Sequence, residues 1–316
     1  MKPISTFDTA GWDLERAVAA KRGRTVSMCI PCRDEAGTVG DLVEKIHRRL
    51  LGTLVDELIV LDDRSTDGTA HVARTAGATV VPIEHVHQVH GEGRGKGNAL
   101  WATLVASHGD FVVWCDGDVS SFRADWVVRL LAPLLADGEV GDEVGAGEVG
   151  LVKATYDRPT GQGGGGRTTE LVARPLLSLF FPELTGLHQP LAGEYAGRRS
   201  LLESIPFVEG WGVEIAMLVD LVRRFGADCI SQVDLGTRMH RHQTLDSLAV
   251  QAAEVAATLL SRTPAAAAFA EDVLALHRPG GHTVELNLAE RPPVARLRAA
   301  GLLAALPADQ DGAERR

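Results

Sequence analysis

The sequence pattern with the clearest chemical meaning is Asp116-Gly117-Asp118, which follows the apolar run at residues 111–115. Two carboxylates at the end of a strand can share a divalent cation, or one can bind the ion while the other binds a ribose or a water. Such oxygen ligands suit Mg²⁺ or Mn²⁺, which keep coordination positions for substrate phosphates. Ordinary acidic turns have the same composition, so the pattern alone leaves both interpretations open.

Two histidines, His240 and His242, lie just after a predicted strand at residues 227–233. A neutral imidazole can complete the ligand shell of a cation that also binds a diphosphate. The residues by themselves favour a solvated turn, in which the histidines and the nearby arginines face water.

The glycine run at residues 161–166 is followed directly by Arg167, Thr168 and Thr169. Glycines expose backbone N–H groups, a threonine can cap the following helix, and a helix N-terminus favours an anion. Arg167 adds a bidentate donor for phosphate or carboxylate. Glycine runs are more often linkers, but the arginine and the predicted helix behind this one favour anion binding.

Two further patterns do not carry the chemistry that they first suggest. The glycine-rich segment 91–97 lacks the Ser or Thr of a phosphate-binding Walker loop and the position of a dinucleotide-binding loop, although its Arg94 and Lys96 could cover a diphosphate. Cys29 and Cys32 have redox spacing, but Cys29 lies within a predicted strand rather than at a helix start.

Predicted strands and helices alternate along the first half of the chain. Strands are predicted at 25–30, 57–61, 78–83, 110–115 and 150–156, and helices at 12–20, 40–51, 69–75, 97–107, 169–180, 213–225 and 245–261. This order predicts an α/β fold with a mostly parallel sheet flanked by helices. Polar clusters at 31–35, 62–67 and 116–118 fall on strand ends, where such sheets bind ligands.

The composition excludes several classes of partner. The 316 residues are 45% apolar and carry a net charge of −10, which argues against nucleic acid or an anionic membrane. No apolar run reaches membrane-spanning length, and the first residues lack a signal-peptide core. Four cysteines in a chain of this length make no disulfide framework, so we expect a cytoplasmic protein.

Beyond these local patterns, the sequence resembles a known enzyme family. Residues 26–35, 60–69, 94–97 and 116–118 resemble, in order, the nucleotide-binding half of GT-A glycosyltransferases. Residues 165–177, 189–195, 210–214 and 287–293 are similar to the actinobacterial glucosyl-3-phosphoglycerate synthase family, with motifs such as Gly-Arg-Thr-Thr-Glu and Gly-Trp-Gly-Val-Glu. The similarity extends over residues 10–295, which makes a chance match improbable.

The resemblance implies a GT-A type, Rossmann-like fold and a retaining hexosyltransferase. The implied reaction moves glucose from UDP-glucose to 3-phosphoglycerate with Mg²⁺ or Mn²⁺, in a homodimer. Together with composition, it divides the chain into an N-terminal lead (1–24), a nucleotide-sugar half (25–136), an acidic Gly-rich loop (137–149), an acceptor-binding half (150–262) and a C-terminal helical segment with a tail (263–316).

The resemblance also implies roles for individual residues, carried over position by position. The residues implied for the donor are Pro31, Arg33, Glu35, Asp63, Lys96, Asp116 and Gly193. Those for the acceptor are Gly166, Arg167, Thr169 and His242. The metal ligands are Asp118 and His240, and the catalytic residues are Glu214 and Asp118. No carboxylate is placed as an obvious covalent nucleophile, so we expect front-face attack.

Three positions depart from the family pattern: Arg33 replaces an apolar residue, His242 an asparagine, and Trp211 a tyrosine. Arg33 keeps open a mannosyl-3-phosphoglycerate synthase that uses GDP-mannose. A sugar-nucleotidyltransferase would need a basic Gly-rich loop after the first strand, where this chain has residues 31–35 instead. A non-catalytic nucleotide-binding module would not need the anion-binding pattern at 166–169.

Overall fold

A computed structural model describes residues 4–136, 148–157, 166–239, 244–266, 271–278, 282–303 and 306. His240 and His242, residues 137–147 of the predicted acidic loop, and the glycines at 161–165 lie outside this part of the chain. Their predicted roles therefore remain predictions.

The central element is a seven-stranded sheet in the order β3-β2-β1-β4-β6-β5-β8. Strands β1 to β4 pair in parallel, β5 pairs in parallel with β8, and β6 runs antiparallel between β4 and β5. These seven strands are β1 (Val26–Cys32), β2 (Glu57–Asp62), β3 (Thr79–Pro82), β4 (Phe111–Trp114), β5 (Leu151–Asp157), β6 (Tyr195–Arg198) and β8 (Ile230–Thr237). The predicted α/β fold with a mostly parallel sheet is confirmed.

Helices cover both faces of the sheet. They are α1 (Leu14–Lys21), α2 (Val39–Arg49), α3 (Thr69–Ala76), α4 (Ile83–His90), α5 (Gly95–Ala106), α6 (Asp125–Ala136), α7 (Arg174–Phe180), α8 (Arg199–Glu203), α9 (Val213–Phe225), α10 (Leu245–Ser261) and α11 (Val294–Ala299). Strand β1 shows the two-sided burial, since Met28 and Ile30 join one hydrophobic core and Cys29 joins the other. A strand buried on both faces has a continuous apolar sequence, as β1 has.

Three predicted elements differ from the structure. Residues 83–90, predicted extended at their start, form α4, because Ile83, Val86 and His87 recur at helical spacing and face the core. Residues 227–229 form a short 3-10 helix, and the strand starts only at Ile230.

The predicted C-terminal helical segment is wrong over residues 273–287. Strands β9 (Val273–His277) and β10 (Thr283–Asn287) form an antiparallel pair there. Exposed and partly buried side chains alternate along β9 with a period of two, which is the strand pattern. Two further short strands, β7 (Phe207–Val208) and β11 (Glu290–Arg291), pair with each other and attach this segment to the body of the molecule.

The residues predicted as an N-terminal lead pack onto the sheet. The N–H of Phe7 donates to the carbonyl of Gln232 in β8, at 2.8 Å, and α1 packs against α6. All four cysteines are buried free thiols, as the absence of a disulfide framework predicted. Among the described residues, we find no helix with both the length and the apolarity to cross a bilayer.

Candidate active site

A cavity of about 470 Å³ opens at the carboxyl ends of the parallel strands. Every predicted site residue in the described part of the chain lines it: Pro31, Arg33, Glu35, Asp63, Lys96, Asp116, Asp118, Gly166, Arg167, Thr169, Gly193 and Glu214. The cavity therefore brings residues predicted for donor, acceptor and metal into one space. It gives their locations, while the individual roles stay predictions.

The loops after β1 and β2 line one side of the cavity and are tied to each other. The Thr66 N–H donates to the Asp34 carboxylate at 2.7 Å, and the Glu35 N–H donates to the Thr69 hydroxyl at 2.8 Å. Asp34 and Arg64 both have left-handed backbones, with φ of 56° and 60°. Such conformations are uncommon outside glycine and concentrate at functional sites. These bonds fix the distance between the two loops, and Asp63 is the first residue of the second loop.

A buried network of alternating charges forms the centre of the cavity. The Lys96 ammonium lies 2.8 Å from the Asp116 carboxylate and 2.7 Å from that of Glu214. Arg238, which follows β8, lies 3.0 Å from Asp116 and 2.7 Å from Glu194. Burial lowers the pKa of Lys96, but the charges of Asp116 and Glu214 outweigh burial and raise it well above its ordinary value. All of these ionised groups are therefore held in place by their neighbours.

Asp118 differs from this network because it has spare hydrogen-bonding capacity. Its Oδ1 is buried and accepts no hydrogen bond in the described structure, and the nearest cationic atom, Arg238 Nη2, is 3.7 Å away. Burial, and then the charge of Asp116, raise the pKa of the Asp118 carboxyl. An orphaned carboxylate oxygen in a buried anionic site fits a hard divalent cation.

The other proposed ligand, His240, lies outside the described residues. Within those ranges, no cluster of three or more His, Cys, Asp or Glu side chains could hold a metal by itself.

Another part of the cavity wall is formed by a turn and by α10. Gly166, with φ of 92°, precedes Arg167 and the π-helical turn Thr169–Ala173, which continues into α7. Among helical forms, π-turns are rare and are frequent at functional sites. The facing wall comes from one side of α10, with Leu248, Gln251 and Val255.

Among the contributors to the cavity that sequence reasoning missed are the α10 wall and Arg238. The α10 wall could have been found from the spacing of residues 248, 251 and 255 at i, i+3 and i+7, which places them on one helix face. Arg238 gave no signal of its own, because an arginine after a strand is usually solvated. Only the fold brings it to Asp116 and Glu194.

The C-terminal residues 287–291, which we term the C-terminal brace, hold the loop that precedes Lys96. The Asn287 amide donates to the Glu209 carboxylate at 3.1 Å and to the Arg94 carbonyl at 3.4 Å. Arg291 donates to the Asn98 side chain and to the Gly91 carbonyl, both at 2.8 Å. The brace therefore fixes both ends of the loop that enters α5.

The turn before α9 is tied to α10 through a buried carboxylate. Glu254 accepts the N–H of Trp211 at 2.7 Å and that of Asn287 at 3.1 Å. Trp211 lines the cavity, and Glu214 lies one turn further along. Glu254 thus links the cavity wall, the turn that carries Trp211 and the C-terminal brace.

Comparisons with known proteins agree with this geometry. The sequence profile of Glycosyl transferase family 2 matches residues 27–194, which include the loops after β1, β2 and β4. A glucosyl-3-phosphoglycerate synthase from Mycolicibacterium paratuberculosis is 44% identical over 308 residues, covering 93% of this chain and 91% of that protein.

Two solved structures of the glucosyl-3-phosphoglycerate synthase from Mycobacterium tuberculosis are similar as well. One, in complex with Mn²⁺, UDP and glucosyl-3-phosphoglycerate, is 42% identical with a TM-score of 0.82, and the match covers 94% of this chain and all of that one. The other, with Mg²⁺ and UDP, is 43% identical with a TM-score of 0.81 over 93% and 99% of the two chains.

Proposed function

This chain belongs to glycosyl transferase family 2 and, within it, to the glucosyl-3-phosphoglycerate synthases, and from that membership we propose which of its residues carry the reaction. The enzyme is a hexosyltransferase that moves glucose from UDP-glucose to phosphoglycerate and uses Mg²⁺ or Mn²⁺. The single observation that carries the assignment of roles is the shared cavity, in which the nucleotide loops and the Arg167 turn face the same space.

The nucleoside half of the donor binds between the loops after β1 and β2. Pro31, Arg33 and Glu35 come from the first loop and Asp63 from the second, and all four line the cavity. Burial raises the pKa of Asp63, while the charge of Arg33 opposes the shift. The Arg33 guanidinium near this carboxylate offers donors to base carbonyl oxygens, which suits uracil.

The diphosphate binds beside Asp118, with His240 as the partner ligand for the cation. Bound there, a divalent ion neutralises the charge that develops on the leaving diphosphate. Lys96 and Asp116 flank the ribose and diphosphate, and Gly193 lies in the sugar pocket. A side chain at Gly193 would overlap the Asp116 carboxylate, so the backbone lies directly against the donor site.

The phosphoglycerate binds at the start of the π-helical turn. Gly166, Arg167 and Thr169 present a backbone N–H, a guanidinium and a hydroxyl at the N-terminal end of that turn, and His242 completes the site. A helix start and an arginine fork both favour a phosphate dianion. The acceptor hydroxyl then faces the anomeric carbon from the α10 side of the cavity.

Retention of configuration rests on the family resemblance, and the charge network is consistent with front-face attack. The Glu214 and Asp116 carboxylates both lie within 2.8 Å of the Lys96 ammonium, so neither is an unpaired nucleophile. Glu214 positions the glucose, and a diphosphate oxygen takes the proton of the acceptor hydroxyl. The product is glucosyl-3-phosphoglycerate with the anomeric configuration of the donor.

We extend the proposal to the whole chain. The division into a nucleotide-sugar half at 25–136 and an acceptor half at 150–262 is supported by the cavity, which residues of both halves line. A homodimer is supported by exposed apolar side chains around α7, namely Leu171, Leu179 and Phe180. The four buried free thiols support a cytoplasmic location, where thiols stay reduced.

Kinetics of an Arg167 variant test the acceptor assignment. Arg167→Ala removes the guanidinium that faces the phosphate, so the KM for 3-phosphoglycerate should rise about 30-fold or more, which is the effect of losing a charge-assisted pair worth about 2–5 kcal/mol. The KM for UDP-glucose should change less than about twofold, because the donor does not depend on this residue.

Arg174→Ala is the matched control, since Arg174 lies on the same segment but pairs with Glu170 away from the cavity. It should leave both KM values unchanged. Equal losses for donor and acceptor in the Arg167 variant would place that residue in the donor site. The same assay, run with UDP-glucose, GDP-glucose and GDP-mannose, also tests the donor, and a preference for GDP-mannose would refute the glucosyl assignment.

A further inference from the structure

A lysine with no role so far lies under the sugar pocket. Lys153, in the middle of β5, is 2% exposed. Its ammonium donates a hydrogen bond to the Ala192 carbonyl and lies 4.2 Å from the centre of the Tyr195 ring. Tyr195 is also its partner in the β5–β6 register, so the side chain is held between two strands. The ammonium therefore has defined partners in the interior.

The Ala192 carbonyl that Lys153 binds lies next to a residue that lines the cavity. Ala192 precedes Gly193, which lines the cavity and lies against the Asp116 carboxylate. Asp116 is itself fixed by Lys96 and Arg238. A shift of the Ala192 carbonyl would consequently move the pocket wall relative to Asp116.

Charged groups on several elements face Lys153. The carboxylates of Glu214 on α9, Glu194 just before β6 and Asp116 after β4 favour its charged form, whereas the Lys96 ammonium on α5 opposes it. The Tyr195 ring on β6 lies against the ammonium. Burial lowers the pKa of Lys153 to about 8, although the nearby carboxylates, Glu214 first among them, favour the charged form. An ammonium buried without such partners would be very costly, and the surrounding carboxylates compensate for it here.

We propose that Lys153 is a positioning residue for the glucose half of the donor, because its ammonium holds the Ala192–Gly193 backbone in the sugar pocket. The proposal rests on the proposed function through the place of glucose beside Gly193. It predicts that loss of the ammonium lowers the kcat/KM for UDP-glucose. The affinity for UDP, which lacks the glucose, should stay as in the wild-type enzyme.

Lys153→Met tests this, since methionine fills the space without the charge. The kcat/KM for UDP-glucose should fall about 10²-fold, the effect expected when a substrate is misplaced by about 1 Å. The affinity for UDP with Mn²⁺, measured by calorimetry, should stay within about threefold, and this binding also shows that the variant is folded.

Lys21→Met is the matched control, because Lys21 is another buried lysine but pairs with Asp56 at the far side of the sheet. It should leave the kcat/KM for UDP-glucose and the affinity for UDP unchanged. Equal losses for UDP and UDP-glucose in Lys153→Met, or no loss for either, would overturn the proposal. Failure of the wild-type enzyme to transfer glucose to 3-phosphoglycerate would instead refute the proposed function.

A pH profile of the wild-type enzyme gives a test that needs no variant to fold. If the Lys153 ammonium positions the pocket backbone, the kcat/KM for UDP-glucose should fall as the pH rises through about 8. At that pH Lys153 loses its proton in the enzyme without bound substrate. The affinity for UDP should not follow this fall. In Lys153→Arg, which stays charged, the fall should disappear. A parallel fall for UDP, or an unchanged fall in Lys153→Arg, would contradict the positioning role.

Discussion

Lys96 is the residue on which the central charges converge. Its one ammonium pairs with carboxylates from two parts of the chain, Asp116 after β4 and Glu214 at the start of α9. Asp118, two residues from Asp116, keeps a buried oxygen without a hydrogen bond in the described structure. The two carboxylates of this motif therefore differ. That of Asp116 is paired within the protein, and that of Asp118 has an oxygen available to a cation.

Replacement of Asp118 should expose this difference. Asp118→Asn keeps the size but removes the charge, so turnover should fall on the order of 10²- to 10³-fold, as for other lost electrostatic contacts at a leaving group. Calorimetry should show that Mn²⁺ no longer strengthens UDP binding. EDTA should abolish wild-type activity, and added Mn²⁺ should restore it.

Asp228→Asn is the control, since Asp228 is an exposed aspartate on the 3-10 helix before β8. It should behave like the wild-type enzyme. Retention of full activity after EDTA treatment would count against a metal-dependent reaction.

Among individual residues, the sequence predicted the acidic and basic side chains that follow strands. The reason is that the carboxyl ends of neighbouring parallel strands lie at one edge of the sheet. It did not predict Arg238 or Lys153, whose partners Glu194 and Ala192 lie 44 and 39 residues away along the chain. Such pairs depend on the antiparallel strand β6, and nothing local in the sequence places β6 between β4 and β5.

The elements that position the site are joined by α10 and the C-terminal brace. Helix α10 supplies one wall of the cavity, and its Glu254 binds both the turn at Trp211 and Asn287 of the C-terminal brace. Burial raises the pKa of Glu254, and the two backbone N–H groups oppose the shift. One carboxylate thus couples three elements that are far apart in sequence.

Glu254→Gln should loosen this junction. The amide offers a single acceptor oxygen, so one of the two N–H groups loses its partner at a cost of about 1–3 kcal/mol. We expect Tm to fall by roughly 3–6 °C, and the KM for UDP-glucose to rise because the turn at Trp211 is less fixed.

Glu285→Gln, on the exposed side of β10, is the control and should leave Tm unchanged. Thermal unfolding followed by fluorescence measures both variants. If Glu254→Gln melts like the wild-type protein, the coupling through this carboxylate is not significant.

The order and type of most elements could be predicted from the sequence, because buried strands have continuous apolar runs and helices have a period of 3.6 residues. The β9–β10 pair was missed, since its Ala-rich approach at 265–269 favours helix and its strands pair only with each other. The short β7–β11 pair has no recognisable pattern at two residues per strand.

For the whole molecule, the exposed apolar side chains around α7 predict a homodimer. Leu179 and Phe180 are exposed at the end of α7, and Leu171 lies on the turn before it. Sedimentation of the wild-type protein should give the mass of two chains. Leu179→Asp should shift the equilibrium toward one chain, because a charge in an apolar interface is costly.

Val18→Asp, on α1 at the opposite face of the sheet, should not change the sedimentation. A wild-type protein that sediments as one chain would refute the homodimer. An unchanged dimer in Leu179→Asp would place its interface elsewhere on the molecule.

The C-terminal brace also bears on how the enzyme is made. The bonds from Asn287 to Arg94 and from Arg291 to Asn98 each join residues 193 positions apart. A ribosome that adds about 5–20 residues per second takes roughly 10–40 s to cover this distance. During that time the nascent chain already carries the Asp-Gly-Asp motif but not the C-terminal brace, which holds the loop before Lys96. That loop is therefore fixed only after residue 291 has been added to the chain.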